Sequence, residues 1–313
     1  MKNYLKLILG LFALSIFIFS CDDNDDDTMM QSEKSIAALV TDTPNLSLLK
    51  TAVVRAGLVE TLSASGTFTV FAPTNEAFAA AGLGTEAAIN AVPVETLKNI
   101  LLYHVLSQKY PAANIPSGTT ELTTASNSKV YVTKKSTGVY VNGSTMVTTA
   151  DINASNGVVH IINKVLMPPS QNIVELAQGN PNLTYLVAAV TRASQGSTNV
   201  GAVLSTTNGL TVFAPTNQAF IDAGFTTIAS IQNADINLLT SILTYHVLAA
   251  RVFSSDLTEG VMPTTVNGGK VTITLSGGAK VKGNGNTTAS NITAVDIMAT
   301  NGVVHVIDKV LLP

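Results

Sequence analysis

The sequence predicts a β-rich α+β fold arranged as two tandem domains, each with helices flanking its strands. The main observation is a duplication: residues 69–78 recur at residues 211–220 with one change, Gln218 in place of Glu76. Each copy also contains alternating β-branched and aromatic residues, which are typical of strands, and one apolar stretch at helical spacing. Two copies are too few for a solenoid, so each copy is predicted to form its own globular domain.

Two further blocks recur in the same order. Residues 101–106 return at 243–248, and a segment that begins Asn-Gly-Val-Val-His opens at both Asn156 and Asn301. The spacing between blocks differs slightly in the two copies, as it does when loops vary around constant core elements. The three ordered blocks resemble the fasciclin-like (FAS1) domain along nearly the whole of both copies.

This resemblance implies two tandem FAS1-like β-wedge domains, here predicted as residues 32–169 (the first repeat) and residues 170–313 (the second repeat). It further implies an extracellular or surface-anchored protein that mediates adhesion, and it implies no shared enzymatic activity. Membership of such a family would make the ligand a protein, a matrix component or a glycan.

The start of the chain predicts export with a lipid anchor. Residues 1–20 read as a lipoprotein signal peptide, because Lys2 and Lys6 precede an apolar run over residues 7–19 that is too short to span a bilayer. Cys21 follows directly, is the only cysteine in the chain, and completes a segment that resembles a bacterial lipobox. We therefore predict lipid attachment at Cys21 and association with a membrane through that lipid.

An acidic tether is predicted over residues 21–31, because residues 22–27 are aspartates and one asparagine that repel one another and stay solvated. The same tract also resembles the signal that sends some lipoproteins to the outer face of the outer membrane. The predicted location is therefore the outer membrane, with display at the cell surface. The tract lacks the spaced ligands and glycine of an EF-hand loop, so calcium binding is not predicted.

The remaining charge excludes one class of partner. Without the two leader lysines and the five tether aspartates, 15 basic and 15 acidic residues remain. A formally neutral domain pair does not provide the basic surface that phosphate groups require, so no nucleic-acid partner is predicted.

The repeated blocks can be placed on elements in chain order. Residues 67–71 alternate as a strand that ends at Pro73, and Thr74 is placed to cap the following helix. A helix is then predicted whose buried stripe continues through the Tyr-His motif. In the first repeat this stripe comprises Leu97, Ile100, Leu101, His104 and Val105. Near the end of each repeat an Asn-Gly turn predicts a hairpin, followed by a central strand that is apolar on both faces.

No constellation in the sequence predicts catalysis, a cofactor or a metal. The four histidines lie at equivalent positions, two in each repeat, without the further ligands that zinc requires. No Gly-x-Ser-x-Gly elbow or phosphate-binding loop is present in the sequence. The family's Tyr-His motif corresponds to Tyr103, His104, Tyr245 and His246, and because these histidines lie among apolar residues we interpret them as structural.

The resemblance supplies one set of candidate adhesion residues. An Asp-Ile pair just before the closing motif is linked to integrin-dependent adhesion in animal members of this family. Here the pairs are Asp151 with Ile152 and Asp296 with Ile297, and the second matches the family pattern more closely. The alternative is that each isoleucine is simply a core residue.

We therefore predict a surface lipoprotein that acts by adhesion or another noncovalent interaction and is not an enzyme. The alternative is a glycan-binding accessory lipoprotein of a polysaccharide-uptake system. Sugar-stacking platforms would favour that alternative, but the chain has no tryptophan and only 5% aromatic residues.

Overall fold

The structure, a computed structural model, describes residues 33–313. The predicted signal peptide, Cys21 and the acidic tether lie outside the described residues. Each repeat contains one mixed β-sheet with helices packed against it, which confirms the predicted β-rich α+β class.

Within the described part of the first repeat, the sheet has the strand order β2-β1-β7-β6-β5-β4-β3. Its strands are β1 (Phe68–Pro73), β2 (Val105–Leu106), β3 (Gly118–Thr123), β4 (Lys129–Lys135), β5 (Gly138–Val141), β6 (Thr145–Ala154) and β7 (Gly157–Ile162). Its helices are α1 (Ile36–Asp42), α2 (Ser47–Arg55), α3 (Val59–Ser63), α4 (Asn75–Ala80), α5 (Glu86–Ala91) and α6 (Val94–Tyr103).

The second repeat follows the same plan, with the strand order β10-β11-β12-β13-β8-β9. Its strands are β8 (Leu210–Pro215), β9 (Val247–Leu248), β10 (Val271–Thr274), β11 (Lys280–Gly283), β12 (Ser290–Met298) and β13 (Gly302–Ile307). Its helices are α7 (Ile173–Gln178), α8 (Thr184–Ala193), α9 (Val200–Thr206), α10 (Asn217–Asp222), α11 (Ile228–Gln232) and α12 (Ile236–Tyr245). The counterpart of β3 is reduced to hydrogen bonds from residues 260–264 to β10, because Pro263 in this segment has no N–H to donate.

The first and last strands of each repeat lie side by side and run parallel. In the first repeat β1 pairs with β7 from Phe68 opposite Gly157 to Pro73 opposite Ile162. A Cβ atom at Gly157 would lie 2.1 Å from the carbonyl oxygen of Phe68, so only glycine permits this approach. The glycine of the Asn-Gly pair therefore serves the parallel pairing, while Ser155 and Asn156 form the turn, because Gly157 already pairs with Ala154 of β6. β7 is the central strand that the sequence predicts.

The asparagine of the same pair ties the end of each repeat to its beginning. The Ile36 N–H donates to Oδ1 of Asn156 at 2.9 Å, while Nδ2 of Asn156 donates to the carbonyls of Leu62 and Ala64 at 2.9 and 2.8 Å. Asn301 makes the corresponding three bonds in the second repeat. These buried amides are fully paired and so fix α1 and α3 against β7, and α7 and α9 against β13.

One predicted helix is shorter than the sequence indicates. The strand ending at Pro73 and the Thr74 cap are confirmed, with the Thr74 hydroxyl accepting from the Ala77 N–H. The prediction that the helical stripe runs through Val105 was wrong at its end, because α6 stops at Tyr103 and His104 is its C-cap. Val105 instead pairs with Val70 of β1, and this tertiary pairing overrides the helical spacing.

The core of each repeat has two parts. In the first repeat the larger part lies between the helices and the β1–β7 pair, and the smaller lies beneath the hairpin of β4 and β5. The second repeat has the same two parts. Over residues 33–313, none of the helices is long and apolar enough to cross a membrane.

Candidate functional site

The histidine of the Tyr-His motif is a buried connector in both repeats. His104, 1% exposed, donates from Nδ1 to the Ile100 carbonyl at 2.8 Å and accepts at Nε2 from the Leu166 N–H at 2.9 Å. His246 makes the same two bonds in the second repeat. Burial lowers the pKa of both histidines to about 4, so both rings are neutral at neutral pH.

The tyrosine of the motif connects α6 to the β4–β5 hairpin. The Tyr103 hydroxyl donates to the Lys129 carbonyl at 2.9 Å and accepts from Nδ2 of Asn142 at 3.0 Å. Burial raises the pKa of Tyr103 to about 12. Tyr245 donates in the same way to the Lys270 carbonyl. The structure thus places all four Tyr-His residues inside the repeats, away from any solvent-borne ligand.

The histidine of the closing motif holds the Asp-Ile segment in place. His160 donates from Nε2 to the Tyr110 carbonyl at 2.9 Å, and its Nδ1 accepts from the Asp151 N–H at 3.2 Å. His305 does the same with the Asp296 N–H. Burial lowers the pKa of both rings. These histidines use the opposite tautomer from His104, because here the backbone N–H points at Nδ1.

Both Asp-Ile pairs lie at a β-bulge, where the register of β6 with β7, or of β12 with β13, shifts. Asp151 and Asp296 adopt left-handed backbone angles with φ of 60°, which turn each aspartate out of the regular pleat. Each carboxylate then accepts from the first backbone N–H of a 3₁₀ turn, from Ala112 at 2.8 Å in one repeat and from Ser254 at 2.7 Å in the other. The isoleucines pack against the helical cores.

The two aspartates differ in their surroundings, which the sequence does not anticipate. Asp151 is exposed, whereas Asp296 is half-buried and also accepts from the Ser254 hydroxyl. A Cβ atom at Gly143 of the first repeat would lie 2.5 Å from the Asp296 carboxyl group. Asp296 therefore lies where the two repeats meet.

A cleft between the repeats opens beside Asp296 and leads to an apolar pocket. The cleft has a volume of about 360 Å³ and is lined by residues that include Asn142, Ser144, Lys164, Pro168, Asp296 and Met298. The pocket, about 320 Å³, is lined by residues that include Ile173, Leu176, Ala177, Leu186, Val212 and Ile297. Leu176 and Ile297 line both spaces. The second Asp-Ile pair thus contributes its carboxylate to the cleft and its isoleucine to the pocket.

A loop of the second repeat packs against the first repeat, and the sequence analysis does not predict this contact. We call residues 251–256 the docked loop. Arg251 lies 4.7 Å above the ring of Tyr131, Phe253 packs on the same ring with centroids 5.3 Å apart, and Thr119 donates to Asp256 at 2.8 Å. A comparison of the two copies carries the signal, because Pro111 stands at the position of Phe253 and Thr272 at that of Tyr131.

In the part of the chain that the structure describes, no three His, Cys, Asp or Glu residues are grouped closely enough to hold a metal ion. The hydrogen bonds above form structural networks, and none of the candidate residues has the arrangement of nucleophile, base and oxyanion donors that acyl transfer needs.

Comparisons with known proteins agree with the repeat structure. The family model described as the Fasciclin domain matches residues 44–168 and 181–313. Transforming growth factor-beta-induced protein ig-h3 of Sus scrofa is 29% identical over 249 residues, a match that covers 79% of this chain and 35% of that protein. The chain thus spans about a third of that relative.

A bacterial relative matches a single repeat length. Protein sll1483 of Synechocystis is 42% identical over 139 residues, which is 44% of this chain and 76% of that protein. Among solved structures, the FAS1 domain pair of the insect cell adhesion molecule Fasciclin I is 19% identical. The superposition has a TM-score of 0.42 and covers 85% of this chain and 96% of that one.

Proposed function

The chain belongs to the fasciclin-domain family, and from this membership we propose that it is a non-catalytic adhesion protein acting by noncovalent contacts with a protein or matrix partner. Adhesion-related roles are the common property of proteins with these domains. The buried, fully paired histidines support a role without catalysis, because they offer no exposed titrating group.

The observation that carries the proposal is the position of the second Asp-Ile pair. A carboxylate at a cleft and an isoleucine at a pocket resemble the polar and apolar halves of a protein-recognition site, in which an anchoring side chain enters a pocket and polar contacts fix its orientation. We propose that this place, rather than the first pair, contacts the partner.

The two aspartates provide a matched test in the full chain. Asp296→Asn should lower cell or matrix adhesion by about fivefold or more, corresponding to ~1 kcal/mol, because it removes the charge at the cleft with little change of shape. Asp151→Asn makes the same change at the equivalent bulge, away from the cleft, and should leave adhesion unchanged. Equal adhesion by both variants, or a loss only in Asp151→Asn, would show that the cleft is not the binding site.

We propose further that the protein is lipidated at Cys21 and carried to the outer membrane with its repeats outside the cell. The apolar leader that ends at the lone cysteine supports the anchor, and the acidic tract after it supports the location. A palmitate analogue should label the wild type and not Cys21→Ser. Protease added to intact cells should remove the repeats, and full protection from protease would contradict surface display.

One candidate platform for the glycan-binding alternative is already occupied. Tyr131, an aromatic ring on an outward sheet face, is covered by Arg251 and Phe253 and so cannot serve as a sugar platform.

A further inference from the structure

The outward face of the β4–β5 hairpin in the first repeat is an interface. Tyr131 receives Arg251 and Phe253, and Asp256 accepts a hydrogen bond from Thr119 of the adjoining strand β3. This face therefore binds a loop of the second repeat, and that loop carries a carboxylate. The same face exists in the second repeat, where Lys270 is exposed and Thr272, Thr274, Lys280 and Lys282 are partly exposed.

The strand register identifies the equivalent positions. In both repeats the motif tyrosine donates to the carbonyl at the start of the hairpin, at Lys129 and at Lys270, and Thr133 opposite Tyr140 corresponds to Thr274 opposite Lys280. The outward residues are Tyr131, Thr133 and Tyr140 in the first repeat and Thr272, Thr274, Lys280 and Lys282 in the second. Asn142, at the position of Lys282, instead turns inward to the Tyr103 hydroxyl. The intervening valines and isoleucine are buried in both repeats.

The residue changes give the open face a positive charge. Lys280 and Lys282 replace Tyr140 and Asn142, and Lys270 lies on the same side at the start of β10. We call Lys270, Thr272, Thr274, Lys280 and Lys282 the lysine face. Within residues 33–313, none of its three lysines forms a salt bridge.

Neither Glu259 nor Asp308 forms a salt bridge with these lysines. Glu259 accepts from the N–H groups of Leu275 and Ser276, and Asp308 accepts from Ser290 and Asn291. Lysines often protect the free edge of a sheet, but that purpose does not explain these, because residues 260–264 cover the outer side of β10 and β11 is an inner strand.

From these observations we propose that the lysine face is a docking surface for an acidic loop of a partner protein. The first repeat provides the precedent, since its equivalent face binds a carboxylate-bearing loop, and Thr274 retains the hydroxyl of Thr133, which contacts Ser255 of that loop. Exposed Val261 and Met262, each 48% exposed, lie on the segment beside β10 and add apolar contact area.

The partner is not a second copy of this chain joined end to end. The first repeat's counterpart of the docked loop, residues 109–114, begins with Lys109 and has Asn114 where the docked loop has Asp256. It would bring a lysine towards lysines and no carboxylate, and like charges in contact disfavour association.

This inference deepens the proposed function and rests on it, but its test is a separate binding measurement with the purified full chain. A labelled oligoglutamate peptide should bind saturably at one site per chain, and more weakly as salt concentration rises. Lys280→Glu/Lys282→Glu should weaken binding about tenfold or more. The control Lys50→Glu/Lys98→Glu makes the same charge change on exposed helical positions of the first repeat and should alter binding less than about twofold.

Lys280→Gln/Lys282→Gln removes the charges without reversing them and should give an intermediate loss of peptide binding. This variant replaces the charge-reversed one in the test if the latter folds poorly. Equal weakening by the helical control would mean diffuse electrostatics and would overturn the proposal. So would an absence of peptide binding, or preferential binding of dextran sulfate over oligoglutamate, which would indicate a polysaccharide surface. Loss of peptide binding with adhesion intact would leave the proposed function standing.

Discussion

At the scale of single residues, the histidines show how far the sequence can be interpreted. Their apolar neighbours predict burial, and His104 and His246 are indeed almost fully buried. Their partners could not be predicted, because the Leu166 and Leu311 N–H groups that bind Nε2 lie more than sixty residues away in the chain. Each ring must keep one nitrogen unprotonated to accept a backbone bond, so protonation breaks the network.

Acid should therefore destabilise the protein through these histidines. Their pKa is about 4 when folded against 6.5 for a free histidine, so the unfolded state binds more protons between these values and stability falls as pH falls. From pH 7 to pH 5, the free energy of unfolding should decrease by about 2 kcal/mol for each histidine. Urea denaturation at the two pH values measures this. A midpoint that does not change would mean that folding does not lower the pKa of these histidines.

At the scale of elements, local sequence patterns predict where strands and helix caps lie, but they do not predict which strands pair with each other. Alternation and Pro73 identify β1, and the Asn-Gly pair identifies the β6–β7 turn. Nothing local indicates that β1 lies parallel to β7, since the pairing joins residues about ninety apart and depends on the absence of a side chain at Gly157. A different long-range pairing, of Val105 with Val70 of β1, ended α6 before Val105.

Gly157→Ala should disrupt this parallel pair. Its Cβ would lie 2.1 Å from the Phe68 carbonyl oxygen, so a strand must shift, and the loss of stability should be about 2–4 kcal/mol. Gly179→Ala is the matched control, because its Cβ would meet its nearest atom at 3.5 Å and its backbone is helical. Thermal melting of both variants measures the difference, and similar melting temperatures would refute the steric explanation.

At the scale of the whole molecule, the proline-containing joint over residues 167–170 predicts that the repeats are held close, and the structure adds the contacts that hold them. Comparing the two copies shows that Phe253 and Tyr131 are not shared between the repeats, but it does not show that they touch, because they lie more than a hundred residues apart in the chain. Both repeats are recognisable from shared residues, whereas their interface and the lysine face depend on the residues in which they differ.

Arg251→Ala/Phe253→Ala should loosen the two repeats without unfolding either. The variant loses the cation–π and aromatic contacts to Tyr131, together worth about 1–2 kcal/mol. It also loses the burial of Phe253, which is 1% exposed, at a cost of about 3–5 kcal/mol. Spin labels at Ala87→Cys and Ala229→Cys, in a Cys21→Ser background, should show a broader distance distribution than in the otherwise unchanged protein. Arg55→Ala removes an arginine remote from the docked loop and serves as control. A distribution as narrow as the control's would mean that the proline joint and the remaining contacts, such as Thr119 with Asp256, fix the repeats without Arg251 and Phe253.

The hydrogen bond from the Ile36 N–H to Asn156 also determines when the first repeat can fold during synthesis. The strand that completes the first sheet is the last part of that repeat to leave the ribosome, so β1 must wait without its central neighbour while β2 to β6 are translated. A nascent chain arrested before residue 157 should be open to protease throughout its first repeat. An arrest anywhere in the second repeat, once residues 157–162 have emerged, should leave the first closed and resistant.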